Sequence, residues 1–263
     1  MVGHVTDSSA DVLAELPGWV TLVRAPNPGP MTLDGTNTWV LRAPGGDGIV
    51  VDPGPLHDGH LAKVAGAGDI RTVIITHAHP DHIEGLDRLL ELCPKARLWR
   101  PLSEQGAREW TGLELRSIAT PGHTADSITL IGGVGDERAV LTGDTILGRG
   151  TTVVAYPDGD LGEYLDSLGL LELLGPLPVL PGHGPPLTDC AAAAAFYLRH
   201  RLARLDQVRA AVAAGAGGPA DVVAAVYADV DRELWPAAEL SVRAQLAYLD
   251  RESKDRGSRL ERP

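Results

Sequence analysis

The chain has 263 residues, of which 44% are hydrophobic, and a formal net charge of −12. A chain of this length can bury a substantial core in one large domain and still form a small second domain. The absence of a long apolar run argues against a membrane protein, and the negative charge argues against a surface that attracts nucleic acid as a whole.

In the first part of the chain, short apolar runs alternate with turns rich in glycine and proline. These runs predict β-strands at 19–25, 37–43, 48–52, 71–76, 113–118, 127–132 and 139–144. Apolar residues at helical spacing predict helices near 57–66, 82–92 and 160–173. Strands interleaved with helices in this order indicate an α/β fold.

The composition changes near Cys190, where a long helix rich in alanine, leucine and arginine begins. It is expected to end at the glycines of 215–218. Two further helices are predicted near 219–228 and 236–252, before a short charged tail at 253–263 that we expect to be strand-like. We therefore divide the chain into a domain of residues 1–190 and a small, mainly helical domain of residues 191–263.

The segment TVIITHAHPDHIEGL, residues 72–86, crowds four metal-binding side chains into six positions: His77, His79, Asp81 and His82. Pro80 suits the first turn of a helix, so Asp81 and His82 are expected at a helix N-terminus. Asp81 alone could be only a helix cap, and a single loop histidine is more often surface decoration. Four donors this close together favour a metal site.

Three more donors each follow an apolar run and adjoin glycine: His123 in ATPGHT, Asp144 in LTGDT and His183 in VLPGHG. Sharp turns of this kind place a side chain at the end of a strand. The seven donors are enough for two metal ions. Nitrogen and oxygen donors of this type favour two Zn²⁺, with iron, manganese or nickel as alternatives.

This ordered set of donors resembles the metallo-β-lactamase superfamily over the first 190 residues. The resemblance implies a four-layer αβ/βα sandwich with the site at the open edge of its two sheets. One metal would be held by His77, His79 and His123, and the other by Asp81, His82 and His183. Asp144 would bridge them, and Asp52 would support the histidine loop. Asp52 could equally serve only as a turn residue in the segment Asp-Pro-Gly.

Residues 27–41 and 143–154 resemble the β-lactamase-like endoribonucleases, which end in a winged-helix-like domain like that expected at 191–263. This likeness implies a binuclear zinc hydrolase that cleaves single-stranded RNA through a metal-bridging hydroxide. Asp81 and Asp144 would be its catalytic carboxylates.

A thioester or lactone hydrolase of the glyoxalase type is the main alternative, because the same hydroxide attacks a carbonyl carbon. A β-lactamase is less expected, because those enzymes usually carry a cysteine ligand where Asp144 stands. A non-catalytic binding protein is less expected too.

Substrate contacts are predicted near the bridging aspartate. Arg149 could bind a phosphate or carboxylate, or form a structural ion pair. Thr151 and Thr152 could donate hydroxyls, although the start of a strand explains them as well. Arg201 and Arg204 are expected on one face of the long helix, where a solvated surface is favoured over a path for RNA.

The two cysteines, Cys93 and Cys190, are not paired in a motif and are expected to be small buried side chains. Together with the lack of a secretory pattern in the first 19 residues, they favour a reducing cytoplasm. The partners expected are single-stranded RNA or a small ester or thioester, with no membrane. The long helix also offers a surface for a homodimer.

Overall fold

The computed structural model of the chain describes residues 16–100, 107–110 and 112–260. The N-terminal segment on which the expected absence of a secretory signal depends lies largely outside these residues. Two five-stranded sheets form the centre of the larger domain. None of the described helices is both long enough and apolar enough to cross a membrane.

The first sheet contains, in spatial order, β1 (Val20–Arg24), β2 (Asn37–Leu41), β3 (Gly48–Val51), β4 (Ile70–Ile74) and β5 (Arg97–Leu98). The second contains β10 (Val179–Pro181), β9 (Glu137–Gly143), β8 (Ile128–Val134), β7 (Leu113–Ala119) and β6 (Ala107–Trp110). The β3–β4, β4–β5 and β9–β10 pairs are parallel, and the others are antiparallel.

Alternation along the strands divides the apolar side chains between two faces. In β2, Trp39 and Leu41 enter the core between the sheets, whereas Val40 points to the helices behind them. Helices α1 (Asp58–Gly66) and α3 (Leu86–Leu92) cover the first sheet. Helices α4 (Leu161–Glu172) and α5 (Cys190–Ala213) cover the second. The result is the predicted four-layer αβ/βα sandwich.

The helix predicted over 82–92 is interrupted. It consists of α2 (Pro80–Ile83) and α3, which begins after Gly85. A Cβ at Gly85 would lie 2.7 Å from Cδ2 of Leu61 and 3.0 Å from the carbonyl oxygen of Gly54. The Gly85 N–H donates to that carbonyl at 2.9 Å. This close approach redirects the chain between the loop with His77 and His79 and the packed helix α3.

The C-terminal part consists of α5, α6 (Pro219–Val226), a 3₁₀ turn (Arg232–Leu234) and α7 (Trp235–Leu260). The expectation of a short strand-like tail was wrong: α7 extends through 260, and residues 190–260 contain no β-strand. Ion pairs stabilise this extension, including Arg251 with Asp160 at 2.5 Å and the i,i+4 pair of Lys254 with Asp250 at 2.6 Å.

The division at residue 190 stays a prediction, because the packing is continuous across it. Cys190, Ala194 and Tyr197 of α5 share a buried cluster with Tyr164 and Leu168 of the larger domain. A separate small cluster, which includes Val208, Val222 and Val242, holds the C-terminal helices together. Both Cys93 and Cys190 are buried and free, as expected.

Candidate metal centre

The candidate donors lie at one edge of the sandwich because the strands that precede them end there. β4, β7, β9 and β10 lead into the loops bearing His77, His123, Asp144 and His183 respectively. Asp81 and His82 lie on the short helix α2, which Pro80 begins. His79 is the N-cap residue of this helix and makes no capping hydrogen bond with its side chain. The positions match those expected from the sequence.

Two groups of donors form at this edge. One contains His77, His79, His123 and Asp144, and the other contains Asp81, His82 and His183; within each group the ligand atoms lie within 4.8 Å of one another. The two groups adjoin, since Oδ2 of Asp144 is 3.4 Å from Nε2 of His183 and 3.8 Å from Nε2 of His123. Asp144 therefore lies between the two groups.

The separations within the groups suit a common metal. Nδ1 of His79 lies 3.0 Å from Nε2 of both His77 and His123. In the second group, Nε2 of His183 lies 3.2 Å from Nε2 of His82 and 3.1 Å from Oδ2 of Asp81. Ligands about 2.0 Å from one tetrahedral zinc ion are separated by about 3.3 Å.

The outward-facing Nδ1 atoms of His77 and His82 have their own partners, which leaves the inward-facing Nε2 atoms of these two rings available to bind a metal. Nδ1 of His82 donates to Asp52 at 2.8 Å, and Nδ1 of His77 donates to Thr76 at 3.0 Å. Thr76 in turn donates to Asp52 at 2.7 Å. Such partners fix the tautomer and orientation of a metal-binding imidazole. Asp52 thus contacts both the loop and a histidine, and has a left-handed backbone with φ 55°.

Two observations show that the residues present fit a metal. Oδ1 of Asp144 is buried and makes no hydrogen bond within the described part of the chain, although Nε2 of His82 lies 3.4 Å away. Next to it, Gly182 leaves open the space that a side chain would fill: a Cβ there would lie only 2.3 Å from this oxygen. A buried carboxylate oxygen without a hydrogen bond is costly, and a cation would relieve that cost.

Charges within the site reinforce this interpretation. Burial opposes ionisation of Asp144, but His183 and His82 hold its pKa well below the usual value. Burial likewise disfavours protonation of His183, yet the Asp144 carboxylate raises its pKa to about 9. Burial lowers the pKa of His77 well below its usual value. The Asp144 carboxylate thus favours positive charge at His183, in the group where a metal cation would supply it.

Two of the residues predicted to contact the substrate, Arg149 and Thr152, are instead engaged with other residues of the protein. Arg149 forms a forked ion pair with Asp34, with contacts of 2.5 and 2.8 Å, which is the structural alternative considered for it. Thr152 is 4% exposed, and its hydroxyl lies 3.2 Å from Nδ1 of His123, so it faces a metal-site histidine and not the solvent. The contact predicted for Thr151 stays a prediction.

The expectation that Arg201 lies on a solvated face of the long helix was wrong. Arg201 is 3% exposed and donates to the carbonyl of Thr152. Arg204 donates to the carbonyl of Val226 and stacks on Tyr227 at 4.4 Å. Neither guanidinium forms an open path for RNA. One contact that the sequence did not reveal is the hydroxyl of Thr36, 3.3 Å from Oδ2 of Asp81.

Two adjoining sets of histidine and aspartate donors at the open edge of an αβ/βα sandwich define a metal-dependent hydrolase. Residues 31–110 and 94–183 match the metallo-beta-lactamase superfamily, and residues 219–254 match the beta-lactamase associated winged helix domain. The chain belongs to the metallo-β-lactamase superfamily.

Similar proteins agree with this assignment. A beta-lactamase-like protein 2 homolog of Drosophila melanogaster is 31% identical over 89% of this chain and 88% of its own length. An atrochrysone carboxyl ACP thioesterase of Aspergillus chevalieri is 35% identical over 73% of this chain and 65% of its own length. A beta-lactamase domain protein from Burkholderia ambifaria shares the fold, with a TM-score of 0.78 and 24% identity over 91% of this chain and 88% of that one.

Proposed function

We propose that the protein is a binuclear metal-dependent hydrolase that cleaves small thioesters. The observation that carries the hydrolase proposal is the pair of adjoining donor sets. Between them lies Oδ1 of Asp144, which is buried and makes no hydrogen bond within the described part of the chain. His77, His79 and His123 would hold one divalent cation, and Asp81, His82 and His183 the other, with Asp144 shared. Zinc suits these donors, and iron, manganese and nickel are alternatives.

Two cations held in this way would polarise a carbonyl oxygen and would supply hydroxide from water near neutral pH. The protein's own groups contribute orientation. The side chain of Asp81 is 27% exposed, so its carboxylate reaches the mouth of the site and can accept a hydrogen bond from the attacking water. Asp144, which is 8% exposed, stays ionised within the site. Asp52 holds His82, and the carbonyl of Gly35 accepts from Nδ1 of His183 at 3.3 Å.

The loops at the metal-binding edge support an organic acyl group as the substrate. Three exposed apolar side chains lie on these loops: Met31 at 52%, Leu56 at 64% and Tyr156 at 38% exposure. Arg149 is already paired with Asp34, which leaves its positive charge neutralised. A thioester with an apolar acyl chain suits such loops better than a polyanion does. The similarity to an acyl-carrier thioesterase points the same way.

Cleavage of single-stranded RNA is the second candidate. It is supported by the match of residues 219–254 to a winged helix domain and by the resemblance of 27–41 and 143–154 to β-lactamase-like endoribonucleases. Two metals also suit an in-line attack on a phosphodiester. Against it, Arg201 is buried, and Arg204 is bound to a carbonyl within the C-terminal helices.

A direct comparison of substrates tests the proposal. Zinc-loaded protein is incubated with acyl thioesters of increasing chain length, and the released thiol is measured with a colorimetric assay. In parallel, the same protein is incubated with end-labelled single-stranded RNA. An Asp144→Ala variant purified in the same way is the control. We expect thiol release that this variant lacks, and intact RNA. Metal-dependent RNA cleavage without thiol release would replace the thioester by the phosphodiester.

A further inference from the structure

One face of helix α5 contacts the loop that follows Asp144 at the metal-binding edge. Tyr197 and Arg201 are one helical turn apart and are 2% and 3% exposed. The Tyr197 hydroxyl accepts from the N–H of Leu147 at 2.9 Å and donates to its carbonyl at 3.3 Å. Arg201 donates to the carbonyl of Thr152. These two side chains thus hold the loop that begins at Asp144 at two separate points.

The segment that Arg201 contacts, at Thr152, is adjacent to the metal-site histidine His123. The carbonyl of Val153 accepts from Nδ1 of His123 at 2.5 Å, and the hydroxyl of Thr152 lies 3.2 Å from the same nitrogen. The N–H of Ala155 donates to the carbonyl of His123 at 3.1 Å. Residues 152–155 therefore provide the partners that orient this imidazole.

The C-terminal helices hold the same segment from a second position. Ser241 of α7 is 5% exposed, and its hydroxyl accepts from the N–H of Val154 at 3.3 Å. Arg201 and Ser241 therefore contact the backbone on either side of Val153, whose carbonyl faces His123. Contacts on both sides restrict rotation of this carbonyl away from the imidazole.

Arg201 is an unusual residue for its position. The other residues on the buried face of α5 are small, apolar or aromatic: Cys190, Ala194, Tyr197, Leu205 and Val208. Its guanidinium lies 5.3 Å from the ring of Tyr164, and Nε has no hydrogen-bond partner within the described part of the chain. Burying a charge without a carboxylate partner is unfavourable, so packing alone does not account for an arginine here.

We propose that Arg201 is a positioning residue for the metal site. By holding the carbonyl of Thr152, it fixes residues 152–154 and with them the orientation of His123. The helical C-terminal part of the chain then sets the affinity of the His77, His79 and His123 group for its cation. This inference rests on the proposed metal site, and it goes further by giving the C-terminal helices a part in that site.

The test measures metal affinity for each donor group separately. A His183→Ala background keeps the group that contains His123, and a His123→Ala background keeps the other group. Zinc affinity of the full chain is measured by competition with a chelator, with and without Arg201→Gln. We expect Arg201→Gln to weaken binding about 10-fold in the His183→Ala background, the lower end for loss of a supporting hydrogen bond. In the His123→Ala background it should have no effect, because the residue through which it acts is gone.

Arg204→Gln is the matched control. It removes a guanidinium–carbonyl contact from the same helix but one that lies within the C-terminal helices, next to Val226 and Tyr227. We expect it to lower the melting temperature without changing zinc affinity in either background. Arg201→Lys should restore part of the affinity lost in Arg201→Gln, because an ammonium can still donate to one carbonyl.

Equal weakening by Arg201→Gln in both backgrounds, or in neither, would overturn the proposal. If Arg201→Gln does not fold, Ser241→Ala tests the same segment, and unchanged affinity in the His183→Ala background would then overturn it. A wild-type chain that binds no metal would instead refute the proposed site itself. The two failures are therefore distinguishable.

Discussion

Gly182 provides a sharp test of the space between the two donor groups. It connects β10 to His183, and its N–H donates to the carbonyl of Gly143 at 2.8 Å. In Gly182→Ala, the new methyl group would lie 2.3 Å from Oδ1 of Asp144 and 2.8 Å from Cε1 of His82. Relief of these contacts requires the carboxylate or the imidazole to move.

The size of this movement follows from ordinary contact distances. A carbon and an oxygen atom in close contact are separated by about 3.3 Å, so the carboxylate or the loop must shift by roughly 1 Å. A displacement of about 1 Å at a reacting centre costs about 100-fold in rate. Overpacking of this kind also destabilises a fold by about 1–3 kcal/mol. We therefore expect a folded variant with greatly reduced activity.

The assay combines zinc content after gel filtration with the rate of thioester hydrolysis at saturating zinc. Gly169→Ala is the matched control, because Gly169 lies in helix α4 and an added Cβ meets nothing within 4 Å. That control should retain zinc and activity and gain about 0.5–1 kcal/mol in stability. If Gly182→Ala keeps its zinc and the wild-type rate, the space beside Asp144 is not part of the site.

Further predictions address the groups around the donors. Asp52→Asn should weaken zinc binding by the group containing His82 about 10–100-fold, because the imidazole loses its anionic acceptor; competition with a chelator measures this, and unchanged affinity would count against a supporting role. Zinc binding should release protons at neutral pH, because the pKa of His183 is raised to about 9 and its ring is protonated there without metal. The affinity for zinc should then rise with pH until the pH exceeds the pKa of His183. Identical calorimetric heats of zinc binding in buffers of different ionisation enthalpy would contradict the expected proton release. Asp34→Ala should free Arg149 and lower KM for thioesters with an anionic carrier, with no change for neutral ones. It should change the free energy of unfolding by less than about 1 kcal/mol, as for an exposed ion pair.

The sequence predicted which donors lie close together better than it predicted their surroundings. Strands β3, β4, β7, β8 and β9 were evident because each is an apolar run bounded by turn residues. Since the parallel strands β9 and β10 end at one edge of the second sheet, their loops bring the distant donors Asp144 and His183 together. The strand β5, with two residues, and the edge strand β6 escaped prediction because neither shows enough alternation.

The burial of Arg201 was not predicted from the sequence. Its spacing from Arg204 suggested a charged surface, yet it also lies four residues from both Tyr197 and Leu205, within a regular buried stripe. That periodicity was present in the sequence, but an arginine is so rarely buried that exposure was the better expectation. Its partner, the carbonyl of Thr152, belongs to a segment 49 residues earlier, and only the tertiary structure brings them together.

The end of α7 could not be placed from composition alone. The charged residues after Glu252 suggested a tail, but Lys254 pairs with Asp250 along the helix and Arg251 pairs with Asp160 on another element. The first contact has helical spacing and could have been found in the sequence. The second depends on how the C-terminal helices pack on the larger domain.

Zinc titration of the metal-free chain tests the central claim most directly. Protein stripped with a chelator is titrated calorimetrically, and the number of equivalents bound at saturation is counted. Two adjoining donor groups that share Asp144 predict saturation at two zinc ions per chain. Saturation at one ion, or no binding at all, would contradict the binuclear site.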